Sequence, residues 1–256
     1  MTLPLDNLLP KEDPRLDWNP RLDERSLRFA SATLIDKQPE VERLWKSGPV
    51  LDQGSEGACV GFGWTGEGLS SPYPHHSANV DNANIYAFSV YQRAKQIDEW
   101  EGENYDGTSV LAGAKVMVEK GAIGSYWWAF SMEDIRSAVI ALGPVVIGVP
   151  WYNSMYSTRD DGWVDVDVDS GLAGGHCLFL SGYRPRMRFY VPGGGYEYHR
   201  VFRWRNSWDE QYGYLTQAGY RNGNGWITYD QLAKLFELYG TEACVPAARK
   251  TFRIPV

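Results

Sequence analysis

The chain changes character at Gly143-Pro144, and that switch restricts it to folds that keep helices and strands in separate layers. Before it, apolar residues recur at helical spacing. Ile85, Phe88, Val90, Tyr91 and Ala94 make one stripe, and Val110, Leu111, Ala114, Met117 and Val118 make another that closes at Gly121. Ser131, with Glu133 and Asp134 behind it, opens a further helix that runs to Leu142 and stops at Gly143-Pro144. Beyond that point strands are predicted over 145–149, 177–183, 188–191, 200–204 and 226–229, separated by glycine-rich turns. The order of periodicities predicts an α+β chain. At 256 residues and 43% hydrophobic content it can bury one substantial core or two lobes about a shared cleft.

The residues that carry chemistry are distributed across this switch. Gln53 and Cys59 frame the run Gln53-Gly54-Ser55-Glu56-Gly57-Ala58-Cys59, and Gly175-His176 and Asn206-Ser207-Trp208 follow in that order. A cysteine nucleophile needs a base to hold it as thiolate, a third group to orient the base, and a donor for the developing oxyanion. All four kinds of group are present. Taken singly, the cysteine is most simply core, the histidine a satisfied polar residue and Asn-Ser-Trp a turn. Their joint order and spacing point instead to thiol hydrolysis.

The gap from 59 to 176 is 117 residues and that from 59 to 206 is 147. Papain-type enzymes place these residues about 130 to 150 beyond the cysteine, so the first gap is somewhat short and the second fits. The run QGSEGAC reads against the QGSCGSC of that family, and the chain resembles the papain-like cysteine peptidases from about Pro39 to about Leu238. The resemblance implies a two-lobe fold with a helical lobe over about 39–143, an antiparallel strand-rich lobe over about 144–256, and an active site in the cleft between them. It implies Cys59 as nucleophile at the head of a helix, His176 as base, Asn206 as orienter of the imidazole, and Gln53 as the side-chain half of an oxyanion hole that the Cys59 N–H completes. Trp208 would shield the Asn206 to His176 hydrogen bond. Gly107 and Thr108 would pair with the backbone of an extended substrate, and Gly175 belongs to the same substrate-facing wall. The implied reaction is peptide hydrolysis through a thioester acyl-enzyme on a peptide or protein substrate, with no cofactor and no metal.

Several positions depart from the family pattern. Glu56 and Val60 stand where many members have a disulfide-forming Cys and a Trp, and Asp209 and Tyr212 replace a Gly and a Trp in the usual NSWGxxWG run. Gly213 keeps its place, and the closing Gly225-Trp226 pair comes only after an insertion over 214–224, expected to rim the cleft and set substrate preference. Two other readings are a thiol amidase or acyltransferase acting on cell-wall or other amides, which would not need Gln53 or Asn206-Ser207-Trp208, and a non-catalytic binding or structural relative, which would have lost its nucleophile or base.

Charge and composition remove other classes. A net charge of −7 and a pI near 5.2 argue against a phosphate backbone as partner, so no nucleic acid is expected. No apolar run reaches membrane length and no basic segment precedes an apolar core at the start, so neither membrane association nor export is expected. With only Cys59, Cys177 and Cys244, a cytoplasmic setting is expected, or a virion if the source is viral; at most Cys177 and Cys244 could pair. His75-His76 are adjacent and lack zinc-type spacing. The run from Gly61 to Gly66 formally matches a dinucleotide fingerprint but follows no apolar strand. A helix from Cys59 carries Gly61, Gly63, Gly66 and Gly68, each costing about 1 kcal/mol against Ala, so packing must supply its stability. Cys177 should face away from His176 and be structural.

Residues 1–38 precede the peptidase domain, 39–256, as a polar lead-in punctuated by Pro4, Pro10, Pro14 and Pro20. It is expected to be an extended strap over the domain surface or a loose arm, leaving the full-length chain active without prior cleavage.

Overall fold

The computed structural model describes residues 9–254 apart from 10, 22, 74–78, 103, 192 and 240. The His75-His76 pair and the lead-in prolines Pro4 and Pro10 lie outside the described residues. In chain order the elements are β1 (Arg43–Leu44), α1 (Cys59–Gly68), α2 (Val80–Ile97), α3 (Val110–Glu119), β2 (Ser125–Trp128), α4 (Met132–Ala141), β3 (Val145–Tyr152), β4 (Leu172–Val191), β5 (Gly195–Arg205), β6 (Asn224–Thr228), α5 (Tyr229–Tyr239) and β7 (Glu242–Ala247). The predicted α+β class is what the chain forms.

Local chemistry starts the helices where the sequence says. The Ser109 hydroxyl accepts from Ala112 N at 3.0 Å and that of Ser131 from Asp134 N at 3.1 Å, capping α3 and α4. Helices α1 to α3 pack around a first core that includes Phe62, Trp64, Val90 and Met117. A second core, with Ile135, Ile147, Leu180, Phe202 and Leu232, lies between the sheet and helices α4 and α5. Among the described residues the strands form one antiparallel sheet in the order β2-β7-β3-β4-β5-β6, with β1 on β4.

Four elements were not predicted: β1, β2, β7 and α5. β7 returns from the chain's end to lie between β2 and β3, so the sheet reaches under the helical lobe. The strand predicted over 226–229 ends at Thr228, where a capping box opens α5: Gln231 N donates to the Thr228 hydroxyl at 3.1 Å and Thr228 N to the Gln231 carboxamide at 3.4 Å. The strands predicted over 177–183 and 188–191 are one long strand, because β5 pairs along its length and absorbs Pro185 at a register shift between Arg184 and Met187.

The glycines of α1 are explained by proximity. The helix is buried at every residue, and a Cβ on Gly61 would stand 2.2 Å from the Ala87 carbonyl of α2. Gly61→Ala is expected to destabilise the fold by at least about 2 kcal/mol, because backbone rather than a yielding side chain blocks the methyl. Thermal unfolding checks it, and an unchanged midpoint would place α1 and α2 farther apart.

Candidate active site

Cys59 is the first residue of α1 and is fully buried. His176 lies on β4 opposite Val149 of β3, and Asn206 follows β5 directly. The sheet brings the last two together: His176 Nε2 is 2.8 Å from Asn206 Oδ1, which also accepts the Ser207 N–H at 2.8 Å. The imidazole is enclosed by indoles, with the ring centroid of Trp151 at 4.7 Å and that of Trp208 at 4.9 Å. Tyr156 stacks on the outer side of Trp208 at 5.8 Å. Trp151 and Tyr156 were missed by sequence reasoning; the only signal for Trp151 is its two-residue offset from Val149, which becomes informative once the β3 to β4 register is known.

Gln53 is held by main-chain pairing between 51–53 and 207–209. Asp52 bridges Trp208, Gln53 N donates to Ser207 O at 3.0 Å, and Asp209 N donates to Leu51 O at 3.2 Å. The Ser207 hydroxyl donates to Gln53 Oε1 at 2.8 Å, which fixes the carboxamide with its NH2 turned into the cleft. Ser207 is therefore a positioning residue that sequence reasoning passed over as part of the Asn-Ser-Trp run.

The Gln53 NH2 donates to Glu56 O at 2.7 Å and to Arg15 O at 3.0 Å. The second acceptor belongs to the lead-in, and it corrects the expectation of a surface strap. Leu16 and Trp18 are almost wholly inaccessible, at 1% and 0%, the first packed in the sheet-side core and the second in the helical one. Burial of these two apolar residues favours a path between the two cores over an exposed one. Trp18 N donates to Gly175 O at 3.0 Å, Asn19 N to Thr108 O at 3.1 Å, and Thr108 N to Asp17 O at 3.1 Å. A Cβ on Gly107 would stand 2.2 Å from the Asp17 carbonyl, and one on Gly175 would stand 2.0 Å from that of Trp18. The Arg15 guanidinium lies 4.3 Å above the Trp208 ring and pairs with Asp13 at 2.7 Å. Gly107, Thr108, Gly175 and Trp208 thus all meet the lead-in. The insertion over 214–224 folds back with Leu215 opposite Arg221 and with Arg221 paired to Asp160 at 2.8 Å, and its Gly223 O accepts the Asn206 N–H at 2.9 Å.

Enclosure sets the protonation states. Burial pushes the Cys59 thiol up to about 12, with the Asp17 carboxylate adding to it and the Asp17 and Cys177 main chain opposing. Burial also holds His176 down at about 4, against the Asn206 hydrogen bond. At neutral pH Cys59 is a thiol and His176 a neutral imidazole. His176 Nδ1 is buried without a formed hydrogen bond; the Arg15 charge adds to the lowering of the imidazole, and the Asp13 charge and the Arg15 main chain oppose it. Cys177 and Cys244 are buried and free, and Cys177 faces α1, where its sulfur is 3.0 Å from the place of a Cβ on Gly63. Among the described residues no His, Cys, Asp and Glu group could hold a metal, and no helix is long and apolar enough to cross a membrane.

Asp17 makes the docked lead-in sensitive to pH. Burial raises its carboxyl from 3.8 to about 7, against the opposing Lys11 ion pair at 2.7 Å. The docked state therefore binds more proton than the released one, so this contribution is full below about pH 4 and is lost as pH rises through about 7. Trypsin cutting after Lys11 or Arg15, expressed relative to an Asp17→Asn chain at the same pH, should rise about tenfold between about pH 6 and 8. A flat ratio would remove Asp17 from control of docking.

Comparison with solved structures finds cysteine proteases. Xylellain, a cysteine protease from Xylella fastidiosa, is 16% identical over 94% of this chain and 98% of its own, with a TM-score of 0.62. Digestive procathepsin L 3 of the Tenebrio molitor larval midgut is 15% identical over 94% of this chain and 76% of its own, with a TM-score of 0.51. The proform of Amb a 11, a cysteine protease and major ragweed pollen allergen, is 15% identical over 88% of this chain and 70% of its own, at 0.54. No family model matches the chain, and no curated protein does. At these identities the likeness concerns the fold, and the fold is papain-like.

Proposed function

We propose that the chain is a papain-like cysteine peptidase held latent by its own residues 11–19. The observation that carries this reading is the Arg15 carbonyl on the Gln53 NH2 at 3.0 Å, in the cleft where Asn206 orients His176 at 2.8 Å. A main-chain carbonyl already occupies the donor that a scissile carbonyl would need. The Ser207 to Gln53 bond ties the oxyanion donor to the Asn206 loop, which favours a peptidase over a thiol amidase that would need neither.

Displacing the strap hydrates Cys59 and His176 and removes the burial that keeps both neutral. The α1 N-terminus and the imidazolium then stabilise the thiolate. The thiolate attacks a peptide carbonyl, Gln53 and the Cys59 N–H hold the oxyanion, and His176 protonates the leaving amine. Water, deprotonated by His176, then hydrolyses the thioester, while Asn206 keeps the ring oriented and Trp208 keeps water from their bond. This replaces the expectation that the full-length chain works without prior displacement of the lead-in.

The test is hydrolysis of a fluorogenic peptide before and after limited trypsin treatment cuts the strap, with trypsin then inhibited. Turnover should rise about tenfold or more on cutting, since only the open fraction binds substrate. Equal rates before and after would reject latency, and an inert chain in both states would reject the peptidase.

A further inference from the structure

Strands β4 and β5 run on together past the rest of the sheet. β3 leaves β4 at Leu180, β1 covers only Gly182 and Tyr183, and β6 pairs with β5 only over Val201 to Arg205. Among the described residues, 187–191 and 195–199 therefore have no strand partner but each other. A two-stranded ribbon is marginal in water unless one face is packed. Here the back is packed: Phe189 is 1% exposed, its ring 4.7 Å from that of Trp163, with Met187 and His199 beside it. The pleat then sends Arg186, Arg188 and Tyr190 of β4 and Tyr196, Tyr198 and Arg200 of β5 to the front, where each of the three tyrosines is more than half exposed. Glu197, the one acid of the ribbon, turns to the back, where its carboxylate is 3.2 Å from His199 Nε2.

The front is arranged for anions. The Arg186 guanidinium lies 4.0 Å from the ring centroid of Tyr198 and that of Arg188 lies 4.4 Å from Tyr196, while Tyr190 and Tyr196 meet edge to face at 5.8 Å. A guanidinium held against a ring is already ordered and keeps N–H groups for a forked bond. Arg200, at the foot of the ribbon, has Glu40 at 3.3 Å and Asp230 at 3.7 Å. Arg186 and Arg188 pair with no carboxylate among the described residues, although the chain carries a net charge of −7. They stand two residues apart on one face of a strand, about 7 Å along it, which is the repeat of alternate side chains in any extended chain. We propose that this face docks an extended acidic segment of another protein, with Asp or Glu at alternate positions: one carboxylate forks to Arg186 and the next to Arg188. A single-stranded nucleic acid fits less well, because it stacks bases on open rings and the guanidiniums already lie over Tyr196 and Tyr198. Arg186 is roughly 30 Å of strand away from His176, so docking there does not use the cleft.

The test titrates a fluorescein-labelled peptide of about twelve residues, alternating Glu and Ser, with the full-length Cys59→Ala chain and reads anisotropy at about 0.05 M salt, where screening is weak. A comparison peptide carries as many glutamates at every third position, which puts consecutive ones on opposite faces of an extended chain. The alternating peptide should bind at least about fivefold tighter. Arg186→Ser with Arg188→Ser should weaken it at least about tenfold and leave the thermal midpoint in place, since both residues are exposed. Arg186→Lys with Arg188→Lys keeps the charge and loses the fork, and should weaken it about threefold or more. Equal binding of the two peptides overturns the proposal, as does a lysine pair that binds as well as the arginines. So does an oligothymidylate of equal charge that binds more tightly than the alternating peptide, or the absence of peptide binding up to about 1 mM.

Discussion

Cys59→Ala, measured with the strap cut, is expected to lower peptide turnover by at least about 10⁴-fold, and His176→Ala to do nearly the same. The two groups act as a unit, so the double variant should be little slower than either single one. The structure makes the histidine hard to replace. Its Nε2 is fixed at 2.8 Å by Asn206 and its ring is enclosed by Trp151 and Trp208, whereas His199 sits on β5 against Glu197. Neither change should unfold the chain, because Cys59→Ala removes one sulfur and His176→Ala leaves the indoles packed on each other at 5.1 Å. Initial rates with a fluorogenic peptide measure both effects. More than about a tenth of wild-type turnover in His176→Ala would mean that another group serves as base.

Gln53→Ala is expected to lose about 10²- to 10³-fold in kcat, since the lost donor meets charge that exists only in the transition state. Direct alkylation by iodoacetamide forms no tetrahedral oxyanion and should stay within a few-fold of wild type in the cut enzyme. In the full-length chain alkylation should speed up, because Gln53 also holds the strap through Arg15 O. Normal turnover in a folded Gln53→Ala chain would remove Gln53 from the site and reopen the amidase reading. An equal collapse of turnover and alkylation would mean that the Gln53 contacts to Glu56 and Ser207 serve mainly to shape the loop before Cys59.

The four candidate catalytic residues could be proposed from sequence because their order, spacing and immediate neighbours can be read along the chain without knowing how it folds. The two lobes were legible for a similar reason, as helical and strand periodicities fall on opposite sides of Gly143. What escaped depended on register or on a few atoms. Trp151 reaches His176 only through the pairing of Val149 with His176. The strap was averaged away by the charge and prolines of 1–38, although Leu16 and Trp18 within it are buried in the two cores. Helix α5 had a readable signal in Thr228-Tyr229-Asp230-Gln231, a capping box hidden behind a strand pattern.

Labelling with an epoxide-type thiol-peptidase inhibitor, followed by mass mapping of the modified residue, tests the central claim most directly. A single adduct on Cys59 is expected, slow in the intact chain, fast once the strap is cut, and lost in His176→Ala, since thiolate fraction and access together set the rate. An adduct on Cys177 or Cys244 of the folded protein, or none on Cys59 after the strap is cut, would contradict it.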